Sequence, residues 1–231
     1  MHRAQVVRTT VVALLLGVAF VALASWIAAS SAPSATDRTL GLALLAAPST
    51  WGFRAATAVS FLGSPVIVTA LSVLAGLVCW RRGGDVRLAA LCVGAPAVAA
   101  LVEVVTKQVV ARPRPPTRVL TGASGFGFPS GHTTGAAALA VVAMVAAQLL
   151  ITDRRLRRRV CMVAVTYAVT VGISRVVVGA HYPSDVVGGL LVGTAAALGC
   201  ALVLTRHRRA PQAAAPAPDP RALSRSSGLA A

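Results

Sequence analysis

Six stretches of this chain are apolar for roughly the 20 residues that a helix needs to cross a hydrocarbon layer. They run approximately over Val6–Ala29, Phe61–Trp80, Leu88–Ala111, Thr133–Thr152, Val160–Val178 and Val186–Thr205. Lipid offers no partner to backbone N–H and C=O groups, so each stretch is expected to be an α-helix that satisfies them internally. The first follows Met1-His2-Arg3 as a signal peptide would. Its apolar run nevertheless exceeds the roughly 7–15 residues of a secretory core, and no clean Ala-x-Ala site follows, so it reads as an uncleaved span.

Between the first two spans, residues 30–54 hold Leu40–Ala47, too short to cross, and then Trp51 and Phe53. This connection reads either as an amphipathic anchor lying flat at the interface or as a loosely ordered loop. Beyond the sixth span the chain turns to Ala, Pro and Ser, a composition that cannot bury a core. The expected organisation is therefore a six-span domain over 1–205 and a disordered cytoplasmic tail over 206–231.

Composition agrees with the pattern. A mean hydropathy of +0.77, with 56% hydrophobic and 12% charged residues, places the chain among polytopic membrane proteins. The net charge of +16 would suit a nucleic-acid partner, but the basic residues fall in short runs between apolar stretches and build no single basic face. No nucleic acid is expected. Cys79, Cys92, Cys161 and Cys200 all lie inside apolar stretches without paired or metal-ligand spacing, and read as small buried hydrophobes. Six carboxylates in the whole chain leave little material for a hard-cation site, so no metal and no other cofactor is expected.

The basic runs also orient the chain. Arg3 and Arg8, then Arg81, Arg82 and Arg87, then Arg154, Arg155, Arg157, Arg158 and Arg159, then Arg206, Arg208 and Arg209 mark alternate loops. Positive residues favour the cytoplasmic side. The expectation is an all-α bundle of six transmembrane helices in the cell membrane, with both termini cytoplasmic.

Three clusters lie at span ends on the opposite, outer face: Lys107 with Arg114-Pro115; Pro129-Ser130-Gly131-His132; and Ser174-Arg175 with His181 and Asp185. Taken alone, Lys107 reads as readily as a snorkelling anchor, with Glu103 as the i,i+4 partner that holds it. Ser130 is placed to cap the fourth span, whose first N–H groups attract an anion. Gly131 permits close backbone approach. His132 by itself could be a structural hydrogen-bonder. Asp185, four residues after His181, can accept the Nδ1 proton and leave Nε2 as a nucleophile, the orienting logic of catalytic triads. Only four histidines exist, and the two away from the termini both fall in these clusters. Jointly the clusters read as a phosphate pocket with its own nucleophile, with Lys107, Arg114 and Arg175 supplying the positive charge that Mg²⁺ gives in other phosphoryl transfers.

Lys107 to Pro115, Pro129 to His132 and Ser174 to Asp185 match, in order and spacing, the three-part signature of the type-2 phosphatidic acid phosphatases. The chain resembles that superfamily of membrane lipid phosphate phosphatases, whose soluble relatives include vanadium haloperoxidases, from Phe61 onward. The resemblance implies metal-independent hydrolysis in two steps. His181 would attack phosphorus while His132 protonates the leaving alcohol; water, activated by His132, would then cleave the phosphohistidine. Lys107, Arg114, Arg175, Ser130 and Gly131 would hold the phosphate oxygens. The implied substrate is a lipid phosphate in the bilayer: phosphatidic acid, phosphatidylglycerophosphate or a polyprenyl pyrophosphate such as undecaprenyl pyrophosphate. Two alternatives stay open: a phosphotransferase that passes the phosphoryl group to a lipid or glycan, and a non-catalytic lipid-binding or transport protein.

Overall fold

Small residues decide where the bundle is tightest. Helix α6 (Gly131–Leu150) carries Gly135, Ala136, Ala137, Ala138 and Ala140 in one run. Side chains of that size let neighbouring backbones approach, and close packing is a main source of helix association in lipid. In the computed structural model, which describes residues 3–30, 32–83 and 85–206, α6 accordingly sits at the centre. It packs against α4 (Pro65–Gly83), α5 (Val86–Val110), α7 (Arg154–Val177) and α8 (Pro183–Arg206). Over its apolar window α6 is 56% buried, whereas α1 (Arg3–Ala29) is only 11% buried and lies at the periphery, chiefly against α8.

The α6–α8 contact fixes the site, because each helix delivers site residues from its first turn. It runs through Gly189 and Gly193, a small-xxx-small pair. A Cβ on Gly189 would lie 2.8 Å from the Ser130 carbonyl oxygen and 2.9 Å from Thr133 Cβ, and one on Gly193 would run into the Thr134 carbonyl. Nothing larger than glycine fits at this spacing.

The six long helices α1, α4, α5, α6, α7 and α8 are apolar enough to cross a membrane, and all regular structure among the described residues is helical. This is a multi-pass, all-α membrane protein. Leu14, Leu15, Val66, Leu101, Val109 and Val163 stay on the outside of the bundle, where lipid takes the place of water.

The connection over 30–54 is not a loose loop. It forms α2 (Ala35–Leu44) and the first part of α3 (Trp51–Leu62), each with its own cap. Ser34 Oγ accepts from the Asp37 N–H at 3.0 Å and Thr50 Oγ1 accepts from the Phe53 N–H at 3.2 Å, as short polar residues do at helix starts. Helix α2 exposes Leu40, Leu42 and Leu44 and buries Asp37; α3 exposes Trp51 and buries Ala56 and Ser60.

Two expected boundaries are corrected. The second span does not begin at Phe61, because Phe61 and Leu62 close α3, the chain turns at Gly63-Ser64, and Pro65 opens α4. Proline is suited to a first helical position, where its missing N–H costs nothing. The arginines at 154–159 are not a loop but the first turns of α7, capped where Asp153 Oδ1 accepts from the Arg155 N–H at 2.8 Å. Helix α8 ends at Arg206, and the tail expected beyond it, with Arg208 and Arg209, lies outside the described residues.

Candidate active site

Helix α5 stops at Ala111, which takes a left-handed φ of 48°, and Pro113, Pro115 and Pro116 then forbid its continuation. The segment that follows brings Arg112 to Ser184 and Asp185 in the first turn of α8 and Arg114 to His181, and Arg114 lines the same cavity that Lys107 reaches from the last turn of α5. A short 3₁₀ turn over Pro116–Thr121 follows.

The three clusters meet around one cavity of about 640 Å³. Lys107, Arg114, Gly131, His132, Arg175 and His181 line its polar end. Its other end runs between α4 and α5 along Val68, Thr69, Val93, Pro96, Ala97 and Ala100, so a charged chamber opens directly into an apolar groove. Asp185 and Ser130 are fully buried and stand behind the wall.

His181 sits in the turn between α7 and α8. Gly179 makes that turn with φ +73°, and a Cβ there would come within 2.8 Å of Thr117. The N–H groups of Ala180 and His181 both donate to the Arg175 carbonyl, at 3.1 and 3.2 Å. Asp185, in the first turn of α8, accepts from the Tyr182 N–H at 3.0 Å through Oδ2, and the same oxygen faces His181 Nδ1 at 3.4 Å.

The far side of the imidazole settles the tautomer. Arg114 Nη1 lies 2.8 Å from His181 Nε2. A guanidinium only donates, so Nε2 is the acceptor and the ring proton is on Nδ1, toward Asp185. Burial pushes the His181 imidazolium down to about 4, against the pull of Asp185 and helped by the positive charge of Arg114 and Arg175. At neutral pH the ring is uncharged, with its Nε2 lone pair turned to the cavity side.

The cations are held individually. Arg114 donates through Nε to the carbonyls of Ser124 and Gly125, at 3.0 and 3.1 Å, and through Nη1 to the Ala180 carbonyl at 3.1 Å. Arg175 donates through Nη1 to Ser60 Oγ on α3, while its buried Nε has no hydrogen-bond partner among the described residues. Lys107 is paired with Glu103 one turn earlier. The Glu103 carboxylate in turn packs on Gly131, where a Cβ would come within 2.8 Å of Oε1.

Ser130 differs from expectation. It occupies the N-cap of α6, but its hydroxyl makes no capping bond. It accepts instead from Thr133 Oγ1 at 3.0 Å, and its backbone N–H donates to the Asp185 carbonyl at 3.0 Å. Ser130 thus ties the first turn of α6 to that of α8, and Gly131 and His132 form the wall itself.

Four further side chains belong to this arrangement: Ser60, Asp37, Arg112 and Ser184. Arg112 donates to Asp185 Oδ1 at 2.5 Å and to Asp37 Oδ2 at 2.7 Å, so the carboxylate behind His181 is itself held from α2. In the sequence nothing singled out Asp37, which sits among Thr36, Arg38 and Thr39.

Residues 87–209, more than half of the 231-residue chain, match the PAP2 superfamily. The chain belongs to the PAP2 superfamily. Its similarity to phosphatidylglycerophosphatase B of Bacillus subtilis strain 168 is 32% identity over 177 residues, which covers 75% of this chain and 85% of that protein. A lipid A 1-phosphatase of Rhizobium johnstonii is 44% identical over 87 residues, covering 37% of this chain and 32% of the relative. The fold superposes on the crystal structure of a transmembrane PAP2-type phosphatidylglycerolphosphate phosphatase from Bacillus subtilis with a TM-score of 0.77 at 26% identity, over 86% of this chain and 98% of that one. The PAP2 match begins at Arg87, so Asp37 and Ser60 lie outside it.

Proposed function

We propose that this protein is a lipid phosphatase of the cell membrane that removes a phosphate or pyrophosphate group from a lipid through a phosphohistidine on His181. One observation carries the reading: two imidazoles and three cations line a single chamber that continues into an apolar groove between two membrane helices. A head group and its tail need those two environments side by side.

In the first step His181 Nε2 attacks phosphorus, and the bond from phosphorus to the lipid oxygen breaks as His132 gives that oxygen its proton. Water then attacks the phosphohistidine, gives its proton back to His132, and frees phosphate. Arg114 shifts from Nε2 to a phosphoryl oxygen as substrate enters. Arg175 has a buried Nε–H that a phosphate oxygen would satisfy, and an unpaired buried donor is costly enough to favour such a ligand. Lys107 and the N-terminal N–H groups of α6, at Gly131 and His132, complete the cradle. These fixed cations do the work that Mg²⁺ does elsewhere, so turnover is independent of metal.

The positive-inside pattern puts this chamber on the outer face and both termini in the cytoplasm. The relatives' names point to glycerophospholipid and saccharolipid phosphates, and phosphatidylglycerophosphate is the first substrate to try. The test is phosphate release from a panel of phosphatidylglycerophosphate, phosphatidic acid and polyprenyl pyrophosphate by detergent-purified protein in EDTA. Release from at least one, lost in His181→Asn and inhibited by vanadate, is expected. No release from any of them would overturn the reading.

A further inference from the structure

Behind the nucleophile runs a chain of buried charges that ends on the outer helix α2. Asp185 Oδ1 accepts from Arg112 Nη1 at 2.5 Å, and Arg112 Nη2 donates to Asp37 Oδ2 at 2.7 Å. Ser184 closes the ring: its N–H donates to Asp37 Oδ1 at 3.0 Å, its hydroxyl donates to Oδ2 at 2.7 Å, and Arg112 Nη1 lies 2.7 Å from that hydroxyl. The Arg112 guanidinium also stacks 4.7 Å over the Tyr182 ring. Relative exposures of 2% for Asp37, 6% for Arg112 and 0% for Asp185 put all three out of water.

We propose that Arg112 and Asp37 are positioning residues for the reaction, holding Asp185 in place and keeping the group behind His181 net negative. The inference rests on the phosphohistidine reading above and adds the part played by α2.

The physical argument is one of charge. Arg112 alone would neutralise Asp185. With Asp37 on its other edge, two carboxylates and one guanidinium leave one net negative charge (−1 +1 −1 = −1). That charge is needed only when His181 changes. As the Nε2–P bond forms and the P–O bond breaks, the ring keeps its Nδ1 proton and becomes a phosphoimidazolium cation facing Asp185 Oδ2. In a buried site a cation that forms against a neutral group is far less stable than one that forms against an anion. Arg114, Arg175, Lys107 and His132, which also face the site from the connecting segment, α7, α5 and α6, add positive or neutral groups, and Glu103 is already paired with Lys107. Asp37 therefore supplies the excess negative charge. A guanidinium is required between the carboxylates because its planar fork can serve both at once.

The experiment uses the full-length protein in detergent with whichever lipid phosphate the unaltered protein hydrolyses. Asp37→Asn keeps shape and removes the charge. The expected result is a fall of about 10- to 100-fold in kcat, the scale of losing one charge-assisted contact in the transition state, with KM changed less than about threefold. The acid limb of the kcat profile should also move to lower pH, because a positively charged His181 loses its more distant anion. Arg112→Gln strands two buried carboxylates and should be worse in both activity and melting temperature. The double variant, which restores the charge difference, should recover part of both. Hydrolysis by the unaltered protein together with an unmoved pH profile and kcat in Asp37→Asn, or a double variant no better than Arg112→Gln, overturns the relay and leaves the phosphatase reading standing. Failure of the unaltered protein itself overturns that reading and the relay with it.

Discussion

Arg175 offers the sharpest test of the phosphate cradle proposed above. Its Nη1 is committed to Ser60 Oγ on α3, and its buried Nε has no partner among the described residues. If the hydroxyl aims the guanidinium, then Ser60→Ala leaves a charged donor unsatisfied and free to rotate away. A hydrogen bond to a charged group contributes about 1.5–3 kcal/mol, so the loss in kcat/KM should be about 10- to 150-fold. Arg175→Lys keeps the charge but loses the fork, and removing one oxyanion donor costs about 10² to 10³. The decisive quantity is the cycle. Lysine has no Nη1 to offer Ser60, so Ser60→Ala added to Arg175→Lys should cost less than threefold, a coupling of at least about 0.7 kcal/mol, within the usual scale for residues in contact. Phosphate release from mixed micelles, with melting temperatures recorded for all four proteins, gives the numbers. Equal losses in both backgrounds would refute the idea that Ser60 acts through Arg175, and so would a harmless Ser60→Ala.

Other expectations follow from the same geometry. His132→Ala should lower the rate by about 10² to 10⁴, the usual loss for a general acid, and poor leaving groups should suffer most; a uniform loss across leaving groups would count against that role. Gly193→Val drives a side chain into the Thr134 carbonyl and should lower the melting temperature by an amount equivalent to about 1–3 kcal/mol; unchanged melting would mean that the α6–α8 contact is looser than described. His181, ordinarily near 6.5 and here held at about 4, should show no titration between pH 5.5 and 8 in ¹⁵N spectra of histidine-labelled protein. Because its folded value is depressed, the unfolded chain takes up a proton that the folded chain refuses, so stability falls as pH drops from about 6.5 through about 4; a flat stability profile across that window would contradict the burial of a neutral ring.

Much of this was legible in the chain because membranes simplify the code. Backbone satisfaction in lipid forces helices, so the six spans could be read from apolar length, with ends misplaced by a few residues where polarity and helix termini part company. The arginines at 154–159 show why: polar residues need not be loop, since a helix can project beyond the hydrocarbon and remain a helix. Phe61 shows the converse, being apolar and yet part of the short helix α3. The clusters proposed to carry the chemistry were legible because each sits within a few residues of a span end.

What stayed hidden was the support behind those clusters, and the reason is sequence distance. Ser60 lies 115 residues from the arginine it holds, and Asp37 lies 75 from Arg112. A serine in a short apolar helix, or one aspartate before a run of leucines, carries no periodic or motif signal of its own. Each becomes informative only when the fold shows a buried charge that needs it. For Asp37 the need shows in the direction of its shift: burial raises a carboxylate, yet its hydrogen bonds from Arg112 and Ser184 hold this one below its usual value. A charge kept ionised out of water is stable only with its partners. The short outer helices, which the apolar pattern alone left between anchor and loop, are therefore tied to the candidate site: α3 holds Arg175 through Ser60, and α2 supplies the carboxylate of Asp37 to the Arg112–Asp185 pair behind His181, the proposed nucleophile.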